Sequence, residues 1–283
     1  MAIKLIVSDI DGTIIDDFGN VSNETRTAIH KLKDYGIRFS FATGRSYEST
    51  LDIARLLEVE NEDVGMICLN GMETYDLPAM TKIEKDTLTF EESVKMQKLG
   101  EKYYLGIMYC FEDCIYFQMD DLSLEDYQIA MGEDVKKYFN HRVPLVNVGS
   151  AYEIEERIKK DRLLKIAYIQ SPQYKDLVID RMRDEAGEGY HFMRVGPGWT
   201  EVAHTDVSKG NAVLEYAKKY GIRPEEIMVF GDSENDISMF EIAGMAVAVE
   251  NAMETAKAKA THFTKSNNEN GVAYFIEEYL KGL

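Results

Sequence analysis

Apolar residues gather into short runs near both ends of the chain and are broken up by polar residues in its middle. In the first third, Leu5 to Ile10, Ile37 to Ala42 and Val64 to Leu69 predict buried strands. Between them, Ser22 to Tyr35 and Ser46 to Leu57 carry apolar residues at helical spacing. Each opens on a serine suited to an N-cap, and the first stops at Gly36. The last third repeats this style. It predicts a helix over Val207 to Tyr220, a strand over Ile227 to Phe230 and a short helix over Asn235 to Ala243. A strand over Met245 to Val249, a short helix capped by Asn251 and a closing helix over Ala273 to Leu280 follow. Strands that alternate with helices predict an α/β fold: a doubly wound, mostly parallel sheet with helices on both faces.

The middle reads differently. Phe90 to Tyr103 predicts a helix, and Gly106 to Phe111 with Cys114 to Met119 predicts a hairpin rich in aromatic residues. A strand over Leu163 to Gln170, a helix over Tyr174 to Asp184 and a strand over Tyr190 to Val195 follow. This is an α+β pattern set inside an α/β host. The expected division is a first core part at 1–82, an inserted domain at 83–192 and a second core part at 193–283. The length of 283 residues agrees with two domains at about 150 residues each.

The chain carries 32 Lys and Arg against 50 Asp and Glu, a net charge of −18. Such a surface repels a phosphate backbone, so nucleic acid is not an expected partner. It also means that a site for a phosphorylated small molecule needs local positive charge or a metal. The three cysteines, Cys68, Cys110 and Cys114, are too few and too uneven for a disulfide framework. Cys110 and Cys114 flank a Glu112-Asp113 turn and lack the further ligands of a zinc site. No apolar run reaches the ~20 residues of a membrane span, and Met1-Ala2-Ile3-Lys4 leads straight into a strand without a signal peptide. A cytoplasmic location is expected.

Four polar clusters then stand out, three of them at the ends of apolar runs. The first is Asp9-Ile10-Asp11-Gly12-Thr13, where two carboxylates leave a strand and Gly12 allows the chain to turn. Burying two unpaired carboxylates is costly, so a metal or cation is implied. The second is Thr43-Gly44-Arg45, which combines a hydroxyl, a backbone N–H and a guanidinium as an anion cradle. The third is Asp206 to Asn211, with Lys209 near a helix start, where a cation opposes the helix dipole unless it serves an anion. The fourth is Gly231-Asp232-Ser233-Glu234-Asn235-Asp236, two acids about one helical turn apart. Alone, each cluster also fits an ordinary turn or helix cap. Together they place acids suited to Mg²⁺ and anion-binding groups suited to phosphate where open α/β sheets bind ligands.

With these residues in place, the chain resembles the haloacid-dehalogenase-like (HAD) superfamily of aspartate-nucleophile hydrolases, and within it the Cof-type, type IIB capped phosphatases. Asp9-Ile10-Asp11-Gly12-Thr13 fits the D-x-D-G-T motif, Thr43-Gly44-Arg45 the second motif and Lys209-Gly210 the third. Gly231 to Asp236 fits G-D-x-x-N-D. Asn70-Gly71 and Asn251-Ala252 also look like family positions, whereas Asn270 stands where relatives usually carry aspartate. The resemblance implies a Rossmann-like core and assigns the insert as a type II cap.

The resemblance further implies two-step phosphoryl transfer. Asp9 is the nucleophile that becomes an aspartyl phosphate, and Asp11 is the acid and then the base. Mg²⁺ is held by Asp9, the backbone carbonyl of Asp11, and Asp232, with Asp236 acting through a water or from behind these ligands. Thr43, Gly44 and Lys209 bind phosphate oxygens, Asn235 contacts phosphate or orients Asp232, and Arg45 faces the substrate. Arg194 to Trp199, with a turn at Gly196-Pro197-Gly198, is a further place for leaving-group contacts, although Trp199 is expected to pack at the domain junction. The expected substrate is a small phosphorylated metabolite, sugar phosphates first. Alternatives are a phosphorylated cofactor such as pyridoxal phosphate or a flavin nucleotide, phosphomutase chemistry, and a sensor without turnover. A dehalogenase needs neither Asp11 nor the acid pair. The sequence does not speak to oligomeric state.

Overall fold

The structure, a computed structural model, describes residues 2–120, 143–196 and 198–283, together with Glu125 and Ile129. Pro197, within the expected Gly196-Pro197-Gly198 turn, lies outside the described residues. The chain divides into two compact units, Met1–Lys85 with Val207–Leu283, and Asp86–Asp206.

The first unit begins with β1 (Leu5–Ser8), α1 (Asn23–Lys31), β2 (Arg38–Ala42), α2 (Tyr47–Leu56) and β3 (Val64–Cys68). Ser22 and Ser46 cap the two helices, each accepting from a backbone N–H three residues on. Gly36 ends the first helical stretch in the left-handed region at φ 68°. Beyond β3 the pattern of hydrophobicity missed two strands, β4 (Glu73–Asp76) and β5 (Thr81–Glu84). They extend the sheet as an antiparallel edge. Glu73, Thr74 and Asp76 are buried there, so β4 has no apolar alternation to read.

The second unit contains α3 (Phe90–Lys102), β6 (Gly106–Cys110), β7 (Ile115–Gln118), β8 (Leu145–Asn147), α4 (Glu155–Lys160), β9 (Lys165–Ile169), α5 (Pro172–Ala186), β10 (Tyr190–Gly196) and β11 (Trp199–His204). Its sheet runs β10-β11-β9-β6-β7-β8, antiparallel except between β7 and β8. Ile107, Tyr109, Ile166, Tyr168, Phe192 and Val202 pack with the helices. Met108, Cys110, Ala167, Ile169 and Trp199 form a cluster of their own. The expected end of the insert at 192 gives way to Asp206, because β10 and β11 pair as a hairpin and β11 also pairs with β9. Trp199 belongs to an apolar cluster on this unit's own sheet.

The chain then completes the first unit with α6 (Lys209–Lys219), β12 (Ile227–Gly231), α7 (Ile237–Phe240), β13 (Met245–Ala248), α8 (Glu254–Lys257), β14 (His262–Phe263) and α9 (Gly271–Lys281). The sheet order is β14-β13-β12-β1-β2-β3-β4-β5, parallel from β14 through β3. Side chains alternate between faces along each strand. Ile6, Phe39, Phe41, Met228 and Phe230 pack with α1, α2 and α9. Leu5, Val7, Ile67, Ile227 and Val229 pack with α6, α7 and α8. Both faces are thus buried, as a parallel sheet requires. Among the described residues no helix is long and apolar enough to cross a membrane.

Candidate active site

Asp9 is the first residue beyond β1, and its N–H donates to Phe230 O at 3.0 Å, so the ladder between β1 and β12 carries it to the carboxyl end of the strands. The chain then turns sharply. The N–H groups of Thr13, Ile14 and Ile15 all lie within 3.3 Å of Ile10 O. Gly12 adopts φ 72°, and a Cβ there would fall 2.7 Å from Asp232 Oδ2. Gly12 is needed both for its backbone conformation and for the close approach of an acid.

Asp232 follows β12, and Asp236 is fully buried one turn beyond it. Asp236 Oδ2 accepts from Asp232 N at 2.9 Å and Ser233 N at 3.0 Å, which fixes the loop that presents Asp232. Lys209 is the first residue of α6, behind the N-cap Ser208. Its buried Nζ lies 2.6 Å from both Asp9 Oδ1 and Asp236 Oδ1. It ties together acids that stand 200 and 27 positions away in the chain.

Burial pushes the Asp9 carboxyl well above the usual carboxylate range; Asp236, Asp232 and Asp11 add repulsion, while Lys209 opposes it. Burial, reinforced by Asp236, pushes Asp232 up to about 7. Burial alone would lower the Lys209 ammonium, but Asp236 and Asp9 overcome it and hold the group above its ordinary value. Carboxylate oxygens of Asp9, Asp232 and Asp236 lie within 4.8 Å of one another. One ammonium against three carboxylates leaves two negative charges uncompensated when all are ionised. A hard divalent cation with oxygen ligands fits this set, whereas softer metals prefer nitrogen and sulfur donors.

Asp11 stands apart from that trio. Its half-exposed carboxylate receives both Arg45 Nε at 2.7 Å and Arg45 Nη2 at 2.6 Å. Arg45 N donates to Thr43 Oγ1 at 3.1 Å, so the loop after β2 is coupled to the loop after β1. Thr43 is itself buried beside β3, with its N–H on Ile67 O at 2.9 Å. A Cβ on Gly44 would lie 3.4 Å from Asn70 Oδ1. Asn235 Nδ2 donates to that same Asn70 oxygen at 3.0 Å. The expected residues Asp9, Asp11, Thr43, Gly44, Arg45, Lys209, Asp232, Asn235 and Asp236 thus all lie on loops at the carboxyl ends of β1, β2 and β12, or at the start of α6.

Two further residues join them. Thr13 Oγ1 donates to Asp232 Oδ1 at 3.2 Å, and Asn70, in the left-handed region at φ 56°, anchors Asn235. Asn251 does not cap α8, whose N-cap position is Met253. Its side chain reaches Gly12 O at 2.7 Å instead. Local pattern could not reveal a bond across 239 positions.

A family model described as haloacid dehalogenase-like hydrolase matches residues 6–276. The 5-amino-6-(5-phospho-D-ribitylamino)uracil phosphatase YwtE of Bacillus subtilis is 30% identical over 299 residues, covering 99% of both chains. The pyridoxal phosphate phosphatase YbhA of Escherichia coli is 24% identical, over 99% of this chain and 100% of that one. Among solved structures, BT1666 of Bacteroides thetaiotaomicron shares the fold at a TM-score of 0.80, with 24% identity over 98% of this chain and 95% of that one. A HAD subclass IIB sugar phosphatase shares it at 0.74, with 24% identity over 98% of each. Matched along nearly its whole length, the chain belongs to the haloacid dehalogenase-like hydrolases and is a Cof-type phosphatase of that family.

Proposed function

We propose that the protein is a Mg²⁺-dependent phosphatase of small phosphomonoesters that works through an aspartyl phosphate on Asp9. The observation that carries this reading is the buried Lys209, bonded at once to Asp9 and Asp236, beside Asp232. Lys209 takes Asp9 Oδ1 and leaves Oδ2 for attack. As the bond from Oδ2 to phosphorus forms, the bond from phosphorus to the alcohol oxygen breaks, and Asp11 gives that oxygen a proton. Asp11 then takes a proton from the water that attacks phosphorus, and the Asp9–phosphorus bond breaks to release phosphate.

For both steps Asp11 leaves Arg45. Lys209 has three donors and spends two on carboxylates; the third, with Thr43 Oγ1 and the Gly44 N–H, binds phosphate oxygens where transition-state charge develops. Asn235, anchored on Asn70, orients the Asp232 loop. Asp9 and Asp232, with the carbonyl of Asp11, would hold Mg²⁺, which when bound neutralises charge between Asp9 and the phosphate dianion; Asp236, whose oxygens accept from Lys209, Asp232 N and Ser233 N, stands behind these ligands.

The alcohol released is a sugar or sugar alcohol in this reading. YwtE acts on a phosphorylated ribityl chain, and a sugar phosphatase shares the fold. A second reading, pyridoxal phosphate, is favoured by YbhA. A cytoplasmic setting belongs to the same proposal and rests on the free thiols of Cys68, Cys110 and Cys114. The test is phosphate release from a panel of sugar, polyol, flavin and pyridoxal phosphates with Mg²⁺, for wild type and Asp9→Asn. Wild type should turn over and lose activity with chelator, and Asp9→Asn should fall by roughly 10⁴-fold or more. Near wild-type turnover by Asp9→Asn would remove the nucleophile assignment. Phosphate moved to a second sugar instead of water would make the enzyme a mutase.

A further inference from the structure

Asn251 lies outside the four motifs, between β13 and α8, yet its side chain is fixed at both ends. Nδ2 donates to Gly12 O at 2.7 Å, and Oδ1 accepts from Asn267 N at 2.9 Å. Only one orientation of the amide satisfies a carbonyl on one side and an N–H on the other. The same segment holds the second acidic loop: Met253 N donates to Asp232 O at 2.7 Å, and Val249 N to Gly231 O at 3.3 Å. Residues 249–253 therefore grip backbone carbonyls on both loops that carry the acids. Asn267 adds a hold further along the first loop, with Nδ2 on Ile15 O at 3.0 Å.

These bonds act against two forces. Asp9 and Asp232 repel each other, and Gly12, in the left-handed region at φ 72°, gives its own turn little stiffness. Truncating Asn251 would leave the Gly12 carbonyl untethered and let the first loop yield to that repulsion. Asn251 is exposed, so truncation removes hydrogen bonds without opening the core.

We propose that Asn251 is a positioning residue that sets the separation of the Asp9 and Asp232 loops, and thereby the affinity of their carboxylates for a divalent cation and the rate of phosphoryl transfer. The inference rests on the phosphatase reading above. Groups that hold metal ligands in place typically change metal affinity by about 10–100-fold when removed.

The test compares wild type, Asn251→Ala and Asn268→Ala. Asn268 ties the same two stretches of chain but farther from the acids, exchanging hydrogen bonds with the exposed Asp17 at 3.0 and 3.1 Å. Mg²⁺ affinity is measured by calorimetry without substrate, and kcat and KM at saturating Mg²⁺. Asn251→Ala should bind Mg²⁺ about tenfold more weakly or worse and lose kcat. Its KM should stay within about twofold, because Thr43 and Lys209 are untouched. Asn268→Ala should match wild type in all three. Wild-type Mg²⁺ affinity and kcat in Asn251→Ala would overturn the inference, as would an equal loss in Asn268→Ala. If Asn251→Ala does not fold, Asn251→Ser, whose side chain is too short to reach both Gly12 O and Asn267 N, is read by the same titration against the same criteria. A wild type that neither binds Mg²⁺ nor releases phosphate counts against the phosphatase reading itself. A wild type that does both, beside an unchanged Asn251→Ala, counts against this inference alone.

Discussion

Asp232, proposed above to serve a cation, also destabilises the fold that carries it. Burial raises its carboxyl to about 7, so the folded chain holds a proton that the unfolded chain releases near 3.8. The stability this contributes is complete below that lower value and is lost as pH rises through about 7. Asp9 is shifted in the same direction and adds to the loss. The metal-free protein should therefore melt at lower temperature near pH 8 than near pH 6, by an amount of order 2 kcal/mol. Mg²⁺ competes with protons for these oxygens, so its stabilising effect should be larger at the higher pH. Asp232→Asn removes the charge but not the side chain. It should raise the metal-free melting temperature near pH 8 by about 5 °C and abolish the response to Mg²⁺. A lower melting temperature, or an intact Mg²⁺ response, would contradict the cation assignment.

Helix α6 delivers Lys209, and its seat depends on the next residue. A Cβ on Gly210 would fall 2.1 Å from Ser238 O, so α6 and α7 meet backbone to backbone at this point. Gly210→Ala must push the helices apart. It should cost about 1–3 kcal/mol of stability and, by displacing Lys209, up to about 10²-fold in turnover. Thermal melts and steady-state kinetics check both, and unchanged values would show that α6 tolerates the shift. The sequence told much at this scale wherever the signal was local. Ser22, Ser46 and Gly36 mark the helix ends they were expected to mark. Strand β4 was illegible because its buried Asp76 is partnered by Lys219 and Tyr220, 143 and 144 positions away. Strand β11 was overlooked because Thr200, Glu201 and His204 interrupt its apolar run. Asn251 looked like a cap because an asparagine ahead of a short helix usually is one, and its actual partner is distant in the chain.

In the whole molecule, the order β12-β1-β2 makes the site. The chain extends the sheet from β1 through β2 on one side and returns to β12 on the other, and acids, hydroxyl and lysine converge at that change of direction. Three of the clusters were readable as strand ends carrying polar residues that add nothing to the core, and the one around Lys209 as a helix start. Their meeting was not, because Lys209 reaches Asp9 only after the chain has built a second unit with its own sheet and apolar clusters. The proposed mechanism turns on which carboxylate carries the phosphoryl group. An acyl phosphate is reduced by borohydride to the corresponding alcohol, which turns a phosphorylated aspartate into homoserine. Trapping during turnover, followed by mass spectrometry of the peptides, should find homoserine at Asp9 and nowhere else, and none in Asp9→Asn. Homoserine at Asp11, Asp232 or Asp236, or brisk phosphate release with no homoserine at any position, would contradict it.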